Sequence, residues 1–544
     1  MLALLSVTLA TPNPFDAAKT WYVNPANQHE IDSSIATTPA GPVRATLKQM
    51  RDIPSAYWID KKSKIRGNTT DSLEGILEDA SSQSPPPLVV FIFYDLPNRD
   101  CDAKSSNGEI CCKANPDGTC NYDAQGDCAA GIDEYKTEYV EPFAKVLGRY
   151  SHVPVVIVVE PDSLPNIATN AAHPHCGNPA TRAAYTQGVT YAVEQLAQHA
   201  PQATLYLDAA HGGWLGWENN AKSFVQLVAS LNIASHLRGF SSNVANYQPL
   251  GKACPAAAFA GSMTPIAWCQ QHQGDPCCND PCGLLGQGNS GNSELNYVQM
   301  LTELLKQSSI GLTPHWIIDT GRNGVVQERH DCANWCNIRG AGAGVRPSAK
   351  VALPEMIDAY FWLKTPGESD GCTQTLPDGS ACGRFDSMCS SADSIGSRSG
   401  EPRAPEAGKW FDYQIKQLAM NANLGPAPGP PAPPAPPSPP TPPGPSGCPG
   451  GTLQKCIGLC PANPPSAFHN CVKICTLNCH SKAKPFGTCA SIAGSIALCE
   501  DGYRCERGLC MPTAARLAEA GGHGPFRAAL EHAMEWNHSA VLGL

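Results

Sequence analysis

Between residues 11 and 424 short apolar runs alternate with amphipathic stretches. Residues 88–94 (LVVFIFY), 155–159 (VVIVV), 205–207 (LYL), 239–244, 316–318 and 360–363 read as buried strands. Residues 132–147, 183–196 and 297–306 carry apolar side chains at helical spacing. Strand alternating with helix over this length predicts parallel α/β architecture, either a barrel or an open doubly wound sheet. The alternation stops at residue 425. Residues 425–447 hold 13 prolines in 23 positions. Proline fixes φ and removes the backbone donor, so this stretch reads as a semi-rigid polyproline linker, roughly 70 Å long. Residues 448–510 then carry ten cysteines, and a module so small needs covalent staples. Cys471, Cys475 and Cys479 would stack on one helix face. An Ala/Gly-rich tail covers 511–544, with 525–536 reading as a short helix.

Composition narrows the class. The chain has 544 residues, a formal net charge of −10 and 26 cysteines. It has no basic footprint for nucleic acid or an anionic membrane surface, and no apolar run of transmembrane length. So many cysteines without metal-type CxxC pairs read as disulfides of a secreted protein. Residues 1–10 (MLALLSVTLA) resemble the later part of a secretory signal without its basic start. The sequons Asn68-Thr69-Thr70 and Asn537-His538-Ser539 fit the same route.

Polar and aromatic residues gather just after the predicted strands. Asp95, Arg99 and Asp100 follow the first run; Glu160 and Asp162 follow the second; Asp208, His211, Trp214 and Trp217 follow the third. Asn246, then Asp319 and Arg322, then Lys364, Glu368 and Asp370 follow the remaining runs. Singly, each has a bland reading: an Asp after a strand often caps a helix, a lone Trp is usually core, and His211 alone is a structural hydrogen bonder. Six clusters in succession at strand ends point instead to one shared cleft. No spacing resembles a zinc site or a GxSxG elbow. Gly340–Gly344 lacks GxGxxG spacing and reads as a flexible turn; residues 117–127 lack the closing Glu of a calcium loop and read as a disulfide-tied surface loop. Neither a metal nor a cofactor is expected. Carboxylates beside indoles suit sugars, whose C–H faces stack on rings while their hydroxyls hydrogen-bond. Cleaving a glycosidic bond needs an acid whose pKa is raised by burial or nearby negative charge, and a second carboxylate. Asp162 and Asp100, each after a very apolar strand, are candidate neighbours.

At these residues the chain resembles glycoside hydrolase family 6, the cellobiohydrolases and endoglucanases that invert at β-1,4-glucosidic bonds. The resemblance rests on 94–108 (YDLPNRDCDAKSSNG), 156–165 (VIVVEPDSLP), 206–217 (YLDAAHGGWLGW), 243–247 (NVANY), 318–324 (IDTGRNG), 334–347 (NWCNIRGAGAGVRP), 362–371 (WLKTPGESDG) and 384–389 (RFDSMC), in family order. It covers residues 11–424 and implies a distorted β/α barrel of seven parallel strands, TIM-like, followed by the small disulfide-rich module. It implies Asp162 as proton donor, Asp100 as the carboxylate that keeps Asp162 protonated and supports the water, and Asp370 as base, a role for which the family also allows a water relay. Tyr94 and Ser106 would flank the distorted sugar. Trp58, Asp60, His211, Trp214, Asn246, Arg322, Trp335, Lys364 and Glu368 match sugar-contacting positions. Disulfides Cys101–Cys176 and Cys336–Cys389 are implied as well. Inversion sets the acid and base carboxyls about 6.5–9.5 Å apart.

The implied enzyme is a secreted monomer acting on cellulose or a related β-1,4-glucan. Cysteine-bearing inserts at 111–128 and 269–282 and a long loop at 371–408 favour a tunnel and release of cellobiose, with an open-cleft endoglucanase as the alternative. A non-catalytic wall-binding protein is a rival from another class, disfavoured because Asp100, Asp162 and Asp370 are intact. An enzyme for another glucan would share the same residues. The module at 448–510 contains no Trp, so cellulose binding and a protein-interaction or wall-anchoring role stand as equal readings for it.

Overall fold

The structure is a computed structural model that describes residues 12–426, except 124, 125 and 262, and the backbone of strands at 503–506 and 509–512. The leader at 1–10, the linker beyond residue 426, the pattern at Cys471–Cys479, the helix read at 525–536 and the sequon at Asn537 lie outside the described residues. The chain forms two compact units, Met1–Ala427 and Pro428–Leu544. In the second, Tyr503–Glu506 pairs antiparallel with Leu509–Pro512.

The first unit is built on seven strands: β1 Tyr57–Ile59, β2 Val89–Phe93, β3 Val155–Val159, β4 Ala203–Asp208, β5 Gly239–Ser242, β6 His315–Asp319 and β7 Ile357–Phe361. They pair in chain order and all in parallel. The sheet curls without β1 pairing to β7. Its edges are bridged instead by Ala56 N donating to Trp362 O and Trp58 Nε1 donating to Leu363 O, each at 2.9 Å. This is the distorted seven-stranded barrel expected.

Both faces of the central strands are buried, which explains their unbroken apolar runs. Side chains alternate across the sheet. Val89, Phe91 and Phe93 pack outward with Val155, Ile157 and Val159 against the surrounding helices. Val90 and Ile92 point inward with Val156, Val158, Tyr206 and Ile317 to fill the barrel. Burying each such side chain contributes about 1.5–3 kcal/mol.

The structure departs from the sequence reading in places with clear causes. The last strand is Ile357–Phe361, earlier than 360–363. Asp358 disguised it, because a carboxylate in a buried strand reads as a break. Inside the barrel that carboxylate is paired with Arg238 (Nε 2.5 Å) and accepts the Tyr206 hydroxyl (2.5 Å). The single helix read at 132–147 contains a π-helical segment, Tyr135–Val140, between Ala129–Glu134 and Glu141–Arg149. Gly340–Gly344 is a packed wall and not a flexible turn. Ala341 and Ala343 are fully buried, and a Cβ on Gly342 would overlap the Asn421 carbonyl.

Eight disulfides cross-link this unit, and no free cysteine occurs among the described residues. Cys101–Cys176 and Cys336–Cys389 form as the resemblance implied. The inserts are closed by Cys111–Cys120, Cys112–Cys128, Cys254–Cys277 and Cys269–Cys278. Among the described residues no helix is long and apolar enough to cross a membrane.

Candidate active site

Past the carboxyl ends of β2 to β5 the backbone repeatedly enters the left-handed region at non-glycine residues: Asn98 (φ 53°), Asp100 (64°), Glu160 (49°), Asp162 (63°), Ala210 (49°), Asn243 (61°) and Ala245 (57°). Each such residue costs on the order of 1–3 kcal/mol and persists only where its surroundings impose it. Here they do. Arg99, 2% exposed, donates to the carbonyls of Tyr94 (2.5 Å), Asp60 (2.8 Å) and Ser106 (2.8 Å). Glu160 accepts from Asp95 N (3.1 Å) and from the hydroxyl of Tyr135 (2.7 Å), the first residue of the π segment. These turns aim side chains into one cavity of about 450 Å³.

Asp162 stands at the N-cap position of helix Ser163–Thr169 but makes no capping hydrogen bond with its side chain. Its carboxyl faces the cavity instead. Burial, then the carboxylates of Asp208 and Asp100, push its pKa well above the usual range. Asp208, fully buried at the end of β4, accepts from Asp162 N (2.9 Å), Ala210 N (3.0 Å) and Ser241 Oγ (3.2 Å), and burial raises it to about 6. The two carboxyls titrate as a pair. Asp100 Oδ2 accepts from Ser106 N (3.0 Å) and Oγ (2.8 Å), and burial still raises its pKa.

Asp370 differs. Its carboxylate receives Arg322 Nη1 (2.5 Å), the Tyr247 hydroxyl (2.7 Å) and Asn337 N (2.8 Å). A carboxylate has about four acceptor sites, so one remains for the cavity. Arg322, 1% exposed, also donates to Ala245 O (2.5 Å) and is absent from the cavity lining. It lies behind Asp370 and not on the sugar path read from the sequence. Tyr94 is likewise behind the lining, 5% exposed and edge-on to Trp58 at 5.3 Å.

The other sequence candidates line the cavity. At one end Lys364 Nζ lies over the Trp58 ring (5.2 Å) and pairs with Glu368 (2.9 Å), while Asp60 pairs with Lys64 (2.7 Å). Elsewhere Trp214 donates through Nε1 to Thr169 Oγ1 (2.9 Å), beside Trp335, Asn246 and His211. Burial pushes His211 down to about 3, so its ring is neutral.

Sequence reasoning left three lining or supporting residues out of the site. Asp208 and Trp217 stood in the strand-end pattern but were not singled out. Arg384, also on the lining, opens the 384–389 motif but sits in a loop without periodicity and was not assigned a role. The two loops that carry Ser106 and Arg384 to the cavity touch each other: Lys104 N donates to Asp386 Oδ2 (2.9 Å) and Arg384 Nη1 to Asn107 O (3.3 Å).

The geometry is a cavity with indole walls, a buried carboxyl whose pKa is raised by burial and neighbouring charge, and further carboxylates, which suits acid-assisted cleavage of a sugar chain. Comparison with known proteins agrees. The family described as "Glycosyl hydrolases family 6" matches residues 16–422. Exoglucanase 3 of Agaricus bisporus is 34% identical over 415 residues, 76% of this chain and 79% of that protein. The 1,4-beta-D-glucan cellobiohydrolase C of Emericella nidulans is 34% identical over 422 residues, with the same shares covered. The structure of cellobiohydrolase II from Humicola insolens with glucose and cellotetraose superposes with a TM-score of 0.60 at 28% identity, covering 76% of this chain and 99% of that one. A family match across three quarters of the sequence, with the fold and the cavity in agreement, means that this chain belongs to glycosyl hydrolases family 6.

Proposed function

We propose that the enzyme is an inverting cellobiohydrolase that cleaves β-1,4-glucosidic bonds of cellulose and releases cellobiose. One observation carries the reading: Asp162 opens into an indole-lined cavity while burial and two neighbouring carboxylates keep its proton on. Asp162 gives that proton to the glycosidic oxygen. Water held beside Asp100 and Ser106 attacks the anomeric carbon from the opposite face. Asp370, with most of its lone pairs committed, receives the released proton through water. Trp58, Trp214 and Trp335 stack sugar rings; Asp60, His211, Asn246, Lys364 and Glu368 take their hydroxyls. Contact between the loop at 100–107 and the loop at 384–389 favours a covered path and exo-action over an open cleft.

Residues 11–424 form the catalytic domain in this reading, 425–447 the linker and 448–510 a separate module. The disulfides and the exposed sequon at Asn68 fit a secreted glycoprotein. The test is proton NMR of fresh products from amorphous cellulose. Cellobiose appearing first as the α anomer supports the proposal, and initial β anomer refutes it.

Asp208→Asn probes the acid's environment. The Asn oxygen can keep the Asp162 and Ala210 amides while its NH₂ group turns to the Ser241 hydroxyl. Removing the charge removes one cause of the raised Asp162 pKa. The alkaline limb of kcat against pH should therefore move down by about one unit (about 1.4 kcal/mol); a limb that stays or rises contradicts the coupling.

A further inference from the structure

Arg329 lies between two of the recognised motifs and belongs to neither, yet its side chain is only 2% exposed. Nη1 donates to the carbonyls of Cys332 (2.9 Å) and Asn334 (3.1 Å) and reaches Asn246 Oδ1 (3.5 Å). Nη2 donates to Tyr247 O (3.3 Å). The one guanidinium thus clamps two walls of the cavity. One is the turn after β5 that carries Asn246. The other is the 332–335 turn that carries Ala333 and Trp335, both on the lining. The second turn is also anchored by Cys282–Cys332.

The clamp has a chemical consequence. Asn246 Oδ1 accepts from Tyr247 N (2.7 Å), and the Arg329 Nη1 cation, whose two N–H bonds serve the nearer carbonyls, lies 3.5 Å from the same oxygen. The Tyr247 amide and the adjacent positive charge both draw that oxygen and so orient the amide, which turns Nδ2 toward His211 Nε2, 3.0 Å away. Nδ2 can only donate. Nε2 then accepts, which puts the ring proton on Nδ1, an atom that is buried without a hydrogen-bond partner among the described residues. A second guanidinium nearby, Arg322, donates elsewhere and does not reach this amide.

We propose that Arg329 is a positioning residue for the sugar site: through Asn246 it holds His211 in the Nδ1–H tautomer, and through the 332–335 turn it sets the height of the Trp335 platform. The proposal rests on the cellulase reading for the identity of the sugar, but not for the tautomer. Lysine cannot replace the fork, because a single ammonium cannot reach the Cys332, Asn334 and Tyr247 carbonyls from two nitrogens at once.

The test uses the full chain with Arg329→Gln and Arg329→Lys, and reads two independent quantities. The first is the His211 tautomer by ¹⁵N NMR of the ring, assigned with His211→Asn. The second is cellotetraose affinity by calorimetry in the Asp162→Asn background, with KM and kcat in the parent. Wild type should show a single Nδ1–H form. Arg329→Gln should show mixed tautomers, affinity about tenfold weaker and KM raised by a similar factor, with kcat changed less than threefold. Arg329→Lys should fall between. An Nε2–H ring in wild type, or an unchanged tautomer and affinity in a folded Arg329→Gln, overturns the inference. Should either variant fail to fold, the wild-type spectrum alone decides the tautomer. Should cellotetraose fail to bind the parent while the tautomer is as stated, it is the cellulase reading that falls.

Discussion

Replacing Asp162 with asparagine should cut turnover on amorphous cellulose by about 10²–10⁴-fold, the usual range for a general acid, while cello-oligosaccharide affinity stays within about threefold. The two carboxyls beside Asp162 explain why the loss should be this large. Glucose is a poor leaving group, and the proton must be available at the glycosidic oxygen as the bond breaks. Asp162 holds that proton because burial, Asp208 and Asp100 all oppose ionisation. Asparagine matches its shape and polarity but has no proton to transfer. Asp100 is held in place by the Ser106 amide and hydroxyl on its Oδ2, so it stays beside Asp162 and does not move into the position of the missing acid. Steady-state release of reducing ends, together with calorimetric binding of cellotetraose, separates the two effects. A variant that turns over within tenfold of wild type would move the acid elsewhere. One that also loses binding would make Asp162 a sugar contact and not the donor.

Much of this site could be read from the sequence because parallel strands deliver their following residues to one edge. The apolar runs at 88–94 and 155–159 place Asp100 and Asp162 there without further information. What stayed hidden was set by contacts between distant segments. Asp208 looked like a capping residue until its bond to the Asp162 amide was seen, 46 residues back. The family resemblance offered Arg322 as a lesser sugar contact, but in the fold its guanidinium is turned inward to the Asp370 carboxylate. β1 is three residues long, too short for periodicity to show. β7 hid behind Asp358, whose partner Arg238 comes from 120 residues earlier. Contact between the two loops joins Lys104 to Asp386, a separation of 282 residues, and no local pattern encodes it.

The same buried acids should make the folded protein lose stability as pH rises from about 4 to about 7. Burial raises Glu160 and Glu294 to about 7, and Asp208 and Asp319 to about 6. Asp162 moves in the same direction. In the unfolded chain these groups ionise near pH 4. Between the two values the folded state binds more protons than the unfolded state, so the slope of unfolding free energy with pH is negative. The stabilisation is complete below about pH 4 and lost as pH passes each folded pKa. Asp393 and Glu401, lowered to about 2 by hydrogen bonds and ion pairs, act oppositely and remove stability below pH 4. A maximum between pH 4 and 5 follows. Each of these groups withdraws its share of stability as it ionises in the fold, so the melting temperature should fall by at least roughly 5 °C between about pH 4.5 and pH 7.5. Scanning calorimetry from pH 3 to 8 measures it, and a flat or rising curve between pH 5 and 7.5 would refute the assignment. The Asp162→Asn variant sharpens the test. Asparagine in that position has no charge to bury, so the variant that loses turnover should melt higher than wild type at pH 7.5 and equally at pH 4. Stability gained by removing the acid would mean that the fold bears the cost of its chemistry in the working pH range.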